Sequence, residues 1–288
     1  MNIEALKALL FPVAEHRYEI KDTILYALGL GYGFDPVEKG QLQFVYERNL
    51  KAVPSMCLVL GSMGPWMQKP ELGIDFLRLL HGEQSFQLHR PLEPSGDVIA
   101  RQFIEAVVDK GEEKGALVFL RKTLHSKSDE LISTIRQTLF LRGDGGCGDF
   151  GIPPLESNQE ELPMVDSASL QFDCPTLPQQ ALIYRLSGDY NPLHVDPQVS
   201  FRAGFERPIL MGLCTMGIAT RAAINLLCDD QPERLTSMSV RFSRPLIPGE
   251  TIQFRFMNTS PGHAVFTAEC LDRNVTILDR CHVRYRMT

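Results

Sequence analysis

The chain has 288 residues, a formal net charge of −6 and an isoelectric point near 5.7, a balance that argues against a nucleic-acid or membrane-surface partner. Its 44% hydrophobic and 22% charged residues are ordinary for a soluble globular protein, and the length allows two domain-sized units. Seven cysteines, odd in number and without a C-x-x-C pair, read as reduced thiols in a cytosolic compartment; no zinc or other metal site is expected. Met1-Asn2-Ile3-Glu4 lacks the basic-then-apolar pattern of a secretory signal, and Arg286-Met287-Thr288 is not a peroxisomal S-K-L address. A cytoplasmic location is therefore expected.

In chain order, Ile20, Ile24, Leu25 and Leu28 fall at helical spacing over residues 20–31, and Gly29, Gly31 and Gly33 end the run. Residues 41–46 alternate as a strand. The stretch 55–82 reads as a loop around Gly61, Gly64, Pro65 and Pro70, with a short helix over 74–80. Long strands follow at 86–89, 98–108, 117–125 and 131–141, separated by turns at Pro94-Ser95-Gly96, Lys110-Gly111 and residues 126–129. The glycine-dense Gly143-Asp144-Gly145-Gly146-Cys147-Gly148 opens a linker, taken as 143–163, between halves at 1–142 and 164–288.

The second half repeats the plan, with a helix over 209–228 and strands at 238–242, 251–258, 264–271 and 274–285. Arg90-Pro91-Leu92-Glu93-Pro94 answers Arg244-Pro245-Leu246-Ile247-Pro248, each ahead of a long strand, which points to duplication. The helix is apolar nearly all round, yet Arg221 and two glycines argue against a membrane span. A helix buried on most sides suits a curved sheet wrapped around it. The expected class is α+β: two long antiparallel sheets, each around a helix.

One loop concentrates the chemistry: Ser187-Gly188-Asp189-Tyr190-Asn191-Pro192-Leu193-His194-Val195-Asp196. Gly188 permits a tight turn, and Pro192 biases Asn191 toward extended backbone. A short rigid segment of this kind can aim Asp189 and His194 into one space, as an acid/base pair around a water requires. Asp196 is either a helix cap before Pro197 or a partner of His194. His81 and Glu83 read as a structural turn and not as a second acid/base pair.

The run Tyr184-Arg185-Leu186-Ser187-Gly188-Asp189-Tyr190-Asn191-Pro192-Leu193-His194 resembles the signature of R-specific enoyl-CoA hydratases (hydratase 2) among the MaoC-like dehydratases. Pro208-Ile209-Leu210-Met211-Gly212-Leu213-Cys214-Thr215 resembles the segment that follows it there. Tyr26-Ala27-Leu28-Gly29, Phe44-Val45-Tyr46-Glu47 and His81-Gly82-Glu83-Gln84 are similar to the hydratase 2 part of peroxisomal multifunctional enzymes.

The resemblance implies a double hot-dog fold and hydration of trans-2-enoyl-CoA to (3R)-3-hydroxyacyl-CoA. Asp189 and His194 would act on one water, Asn191 would orient it, and the Gly212 N–H would receive the thioester oxygen. Tyr26, Glu47, Tyr184, Met211, Arg241 and Arg244 become candidate substrate contacts, the arginines for coenzyme A phosphates. Glu47 reads equally as a strand ion pair, and Tyr184 as core. Met211 stands where many members carry His, which bears on substrate range. Coenzyme A enters as part of the substrate, no cofactor is expected, and the expected assembly is a homodimer. The first half lacks the loop motif and would accommodate the acyl chain, with residues 61–80 lining a channel. The rival functions are an acyl-CoA thioesterase on the same fold and a non-catalytic acyl-CoA or acyl-carrier binding module.

Overall fold

The computed structural model describes residues 1–154 and 170–287, so residues 155–163 of the expected linker lie outside the described residues. The chain opens with α1 (Ile3–Lys7), capped by Asn2, whose side chain accepts from the Ala5 N–H at 3.2 Å. β1 (Ala14–Tyr18) leads into α2 (Ile20–Gly29), where the Glu19 N–H donates to the Asp22 carboxylate at 2.9 Å.

α3 (Lys39–Val45) occupies the stretch whose alternation suggests a strand. Burial decides against that reading, because the buried residues are Gln41 and Phe44, three apart as on one helix face. Gln41 Oε1 accepts from the Gly33 N–H at 2.7 Å, and the Phe44 ring lies 4.4 Å from that of Tyr32.

Single 3₁₀ turns follow at Pro54–Leu58, Trp66–Gln68, Pro70–Leu72 and Phe76–Arg78. The helix expected over 74–80 is thus one turn. Leu79 and Leu80 already pair with Leu141 and Phe140, and the sheet ladder takes the chain from there. β2 (Leu79–Leu88), β3 (Gly96–Asp109), β4 (Ala116–His125) and β5 (Leu131–Leu141) form the first half's part of one continuous sheet, with β6 (Phe150–Gly151) on β3. The glycine-dense stretch folds back on this half: the Asp109 carboxylate accepts from Gly111, Gly146 and Gly148 at 2.9, 2.9 and 2.7 Å.

The second half runs β7 (Leu170–Pro175), α4 (Gln180–Tyr184), 3₁₀ turns at Arg185–Ser187 and Pro192–His194, α5 (Pro197–Arg202), and α6 (Gly212–Leu227). β8 (Leu235–Phe242), β9 (Thr251–Ser260), β10 (His263–Cys270) and β11 (Val275–Tyr285) complete it.

The sheet order is β1-β3-β4-β5-β2-β8-β11-β10-β9-β7, so the halves mirror one another about an antiparallel β2–β8 pair. The repeated Arg-Pro-Leu turns also match in hydrogen bonding. Just before them, His89 N–H donates to Ile132 O and Ser243 N–H to Ile277 O, both at 2.9 Å. Leu92 and Leu246 are both buried.

α6 is buried from Cys214 to Ile224 and lies under the second half's strands. Gly217 lets it approach the first half, since a Cβ there would sit 2.3 Å from Leu30 Cδ2. Among the described residues no helix is long and apolar enough to cross a membrane.

The halves differ in what their sheets wrap. α2, the helix expected in that role, instead packs on α4, with Gln180 Nε2 donating to the Gly29 carbonyl at 2.6 Å. The element against β2, β5 and α6 is the 3₁₀ turn Pro54–Leu58, buried throughout. The segment expected to line a channel divides between two apolar clusters, Met63 packing against both. Trp66 and Leu72 join α1 in a separate apolar cluster, with Phe11 edge-on to Trp66 at 5.2 Å, and Gly64 is exposed.

Candidate active site

The loop between α4 and α5 is fixed by its own polar side chains. Gly188 takes φ +115°, a conformation that favours glycine. Asp189 Oδ1 accepts from the Asn191 N–H at 3.3 Å, and Asn191 Oδ1 accepts from the Leu193 N–H at 3.1 Å. The Ser200 hydroxyl donates to the Leu193 carbonyl at 2.8 Å, pinning the turn to α5. Asp196 caps α5, accepting from Gln198 and Val199 N–H at 2.8 and 3.4 Å.

His194, only 9% exposed, has Nδ1 2.8 Å from the Ile209 carbonyl oxygen. A carbonyl can only accept, so Nδ1 carries the hydrogen and Nε2 of the neutral ring holds the lone pair. Asp189 is half-buried, and its negative field reaches the interior. Burial, followed by Tyr26, Cys214 and Asp189, drives the Tyr184 hydroxyl well above its usual pKa. Burial, then Cys174 and Asp189, does the same to the Cys214 thiol. Cys214 belongs to the first turn of α6, and Ile209 lies three residues before Gly212, its first residue. His194 is therefore tied to the backbone just ahead of α6, and the field of Asp189 reaches its first turn.

The start of α6 leaves its first backbone amides without a side-chain cap. Met211, at φ −61° and ψ 137°, is the N-cap residue and provides no side-chain cap. The amides of Gly212, Leu213 and Cys214 lack intrahelical acceptors and form the positive end of a 16-residue helix. A Cβ on Gly212 would come within 3.1–3.4 Å of three Phe242 ring carbons, so the helix start is walled on that side.

The remaining candidates divide. Tyr26 and Tyr184 are fully buried behind the loop, ring centroids 5.8 Å apart, with the Tyr26 hydroxyl donating to Ser55 Oγ at 3.0 Å. Met211 is 1% exposed. Glu47 is exposed in a bend after α3 and in no strand, which removes the strand ion pair. Arg241 is engaged by Asp279 in two contacts, Nε–Oδ1 at 2.5 Å and Nη2–Oδ2 at 2.7 Å, and is no free cation for a phosphate. Arg244 is exposed and donates to the Ser243 carbonyl at 3.2 Å. His81 and Glu83 lie in β2, not in a turn.

Among the described residues no cluster of three or more His, Cys, Asp or Glu side chains is arranged to hold a metal. Phe242 and the Ile209 carbonyl carried no sequence signal: one is an apolar strand residue, the other a backbone atom.

The comparisons with known proteins divide the chain as its repeats do. Residues 16–143 match the MFE-2 hydratase 2 N-terminal domain, and residues 163–278 match the MaoC like domain. Over 96% of this chain and 93% of its own length, the Arabidopsis thaliana protein named enoyl-CoA hydratase 2, peroxisomal, is 36% identical. The chain belongs to the hydratase 2 family of MaoC-like dehydratases. A MaoC-like dehydratase from Phytophthora capsici superposes on the whole of this family member, and the whole of that chain is covered, with TM-score 0.86 and 31% identity. A Mycobacterium tuberculosis protein described as having a double hotdog fold matches at TM-score 0.58 and 14% identity, covering 98% of this chain and 97% of that one. The double hot-dog architecture of this hydratase 2 relative is thereby shown.

Proposed function

We propose that this protein hydrates trans-2-enoyl-CoA to (3R)-3-hydroxyacyl-CoA, reversibly, using Asp189 and His194 on one water. The observation that carries the reading is the His194–Ile209 hydrogen bond, which engages Nδ1, leaves Nε2 for the reaction and ties the ring to the backbone just ahead of α6. In the forward reaction the water oxygen bonds to C3 while the electrons of the C2=C3 bond move toward the thioester oxygen. The Gly212 N–H, at the positive end of α6, accommodates the charge that develops there. The Asp189/His194 pair takes one proton from the water and returns one to C2 on the same face, so the enzyme ends as it began. Asn191 holds the pair's geometry through the turn it caps. These groups handle every proton and charge, so the proposed scheme draws on no cofactor.

The first half supplies no acid/base pair and wraps only the turn Pro54–Leu58, about 10 Å of 3₁₀ helix where the second half has about 24 Å of α-helix. That difference supports an acyl chain running over the shortened element. Arg244 is the candidate for the coenzyme A phosphates. Six of the seven cysteines are buried and all are free, which supports a reducing compartment; cytosol and a homodimer remain our assignments.

Incubation with enoyl-CoA thioesters of increasing length tests the reading. Loss of the conjugated enoyl absorbance with an R product and no free thiol is expected. Free thiol release would identify a thioesterase, binding without turnover a carrier module, and an S product a different hydratase class.

A further inference from the structure

Phe242 closes one side of the α6 start, and its own backing comes from the other half of the molecule. The His81 ring meets Phe242 at a centroid distance of 4.8 Å and an interplanar angle of 60°, an edge-type contact. β2 delivers His81 there through a bulge. His81 pairs with Leu139 but Glu83 with Thr138, which leaves Gly82 as the extra residue, its missing Cβ only 3.2 Å from the Thr138 carbonyl. β11 is bulged on the other flank of β8. Asp279 pairs with Arg241 but His282 with Ser239, and Arg280 takes φ +47°. Bulges on both neighbours thus bend the sheet where β8 ends at Phe242.

The imidazole is also locked chemically. Gln84 Nε2 donates to the Arg136 and Ser85 carbonyls at 2.8 and 3.2 Å, which turns Gln84 Oε1 toward His81 Nε2 at 3.0 Å. Gln137 Nε2 approaches the same ring nitrogen at 3.2 Å, so two amide side chains hold the imidazole in place.

We propose that Phe242 positions the thioester against the α6 amides and that His81 of the first half is a positioning residue acting through the Phe242 ring. The inference rests on the hydratase reading. It gives the first half a share in the reaction's geometry. His81 serves as a neutral ring and exchanges no proton with substrate.

The test uses the full chain with crotonyl-CoA and four proteins: wild type, Phe242→Leu, His81→Gln and His81→Phe. His81→Gln keeps a polar partner for Gln84 and removes the ring; His81→Phe keeps the ring and removes the polar partner. Phe242→Leu and His81→Gln are expected to lower kcat about 10- to 100-fold, the scale of a ~1 Å misplacement, with melting temperatures near wild type. His81→Phe is expected to retain kcat within about threefold, because the edge contact remains, and to keep the wild-type shape of the pH–rate profile. Folded Phe242→Leu and His81→Gln enzymes with wild-type kcat and KM overturn the inference, as does loss of one limb of the pH profile in both His81 variants. A wild type that does not hydrate crotonyl-CoA overturns the hydratase reading and this inference with it; an active wild type with unaffected variants overturns this inference alone.

Discussion

The Nδ1–H of His194 donates to the Ile209 carbonyl across 2.8 Å, joining the acid/base loop to the backbone just ahead of Gly212. This contact couples the tautomer of the imidazole to the placement of the helix start. The groups that would move protons and those that would take up charge therefore share one support.

The backbone of Gly212 yields the first prediction. Met211 is extended, the conformation that tolerates a following proline, and proline is accepted at the first helical position. Gly212→Pro should therefore leave α6 formed while deleting one N–H. Gly212→Ala keeps the N–H and adds a Cβ beside Phe242. Circular dichroism should show both folded. In initial-rate assays the proline variant should lose about 10²–10³-fold in kcat, the alanine variant markedly less. Equal losses would mean that crowding, not the donor, matters.

Close packing between halves gives the second. Leu30 is fully buried against Gly217, so Gly217→Val has nowhere to send its side chain. Destabilisation of about 1–3 kcal/mol in urea unfolding is expected. An unchanged midpoint would show that Leu30 can move.

Lys122 gives the third. Its ammonium donates to the Leu58 and Leu60 carbonyls at 2.9 and 2.8 Å, ending the short element of the first half. Burial lowers its pKa to about 8, so it still carries its charge at neutral pH. Lys122→Met should cost about 1–3 kcal/mol by leaving those carbonyls without a donor. The same unfolding measurement checks it, and a neutral result would mean that water replaces the ammonium.

Acid stability gives the fourth. Burial lowers the His81 pKa to about 4, against an ordinary value near 6.5. Between these limits the unfolded chain binds the proton and the folded one does not, so stability present above pH 6.5 is lost on acidification toward 4. The contribution of this one group is at most about 1.4 kcal/mol per pH unit. His81→Phe should flatten the slope of unfolding free energy across pH 4–6.5 relative to wild type. An identical slope would contradict the assignment.

Much of this was legible in the chain because it is written locally. Strand alternation, the all-apolar α6 and the loop from Gly188 to Asp196 each announce themselves within a few residues. Residues 41–46 misled because Gln41 is buried by a contact with the Gly33 backbone, which turns a polar residue into part of a helix's inner face. Arg241 looked like a free cation because its partner, Asp279, lies on another strand. Nor did alternation reveal the bulge at Gly82 that aims His81 at Phe242, since a bulge breaks the pattern by one residue. The wrapped element of the first half was misassigned for a similar reason. α2 has the better helical periodicity, but packing against α4 and not against the sheet decides its place.

The most direct measurement of the central claim is the initial rate of crotonyl-CoA hydration by Asp189→Asn beside wild type, followed by loss of the enoyl absorbance. The substitution keeps the side chain's size and its ability to accept from the Asn191 N–H, and removes only the charge. A loss of about 10²–10⁴-fold at an unchanged melting temperature is the result this account predicts. Near-wild-type turnover by the folded variant would contradict it.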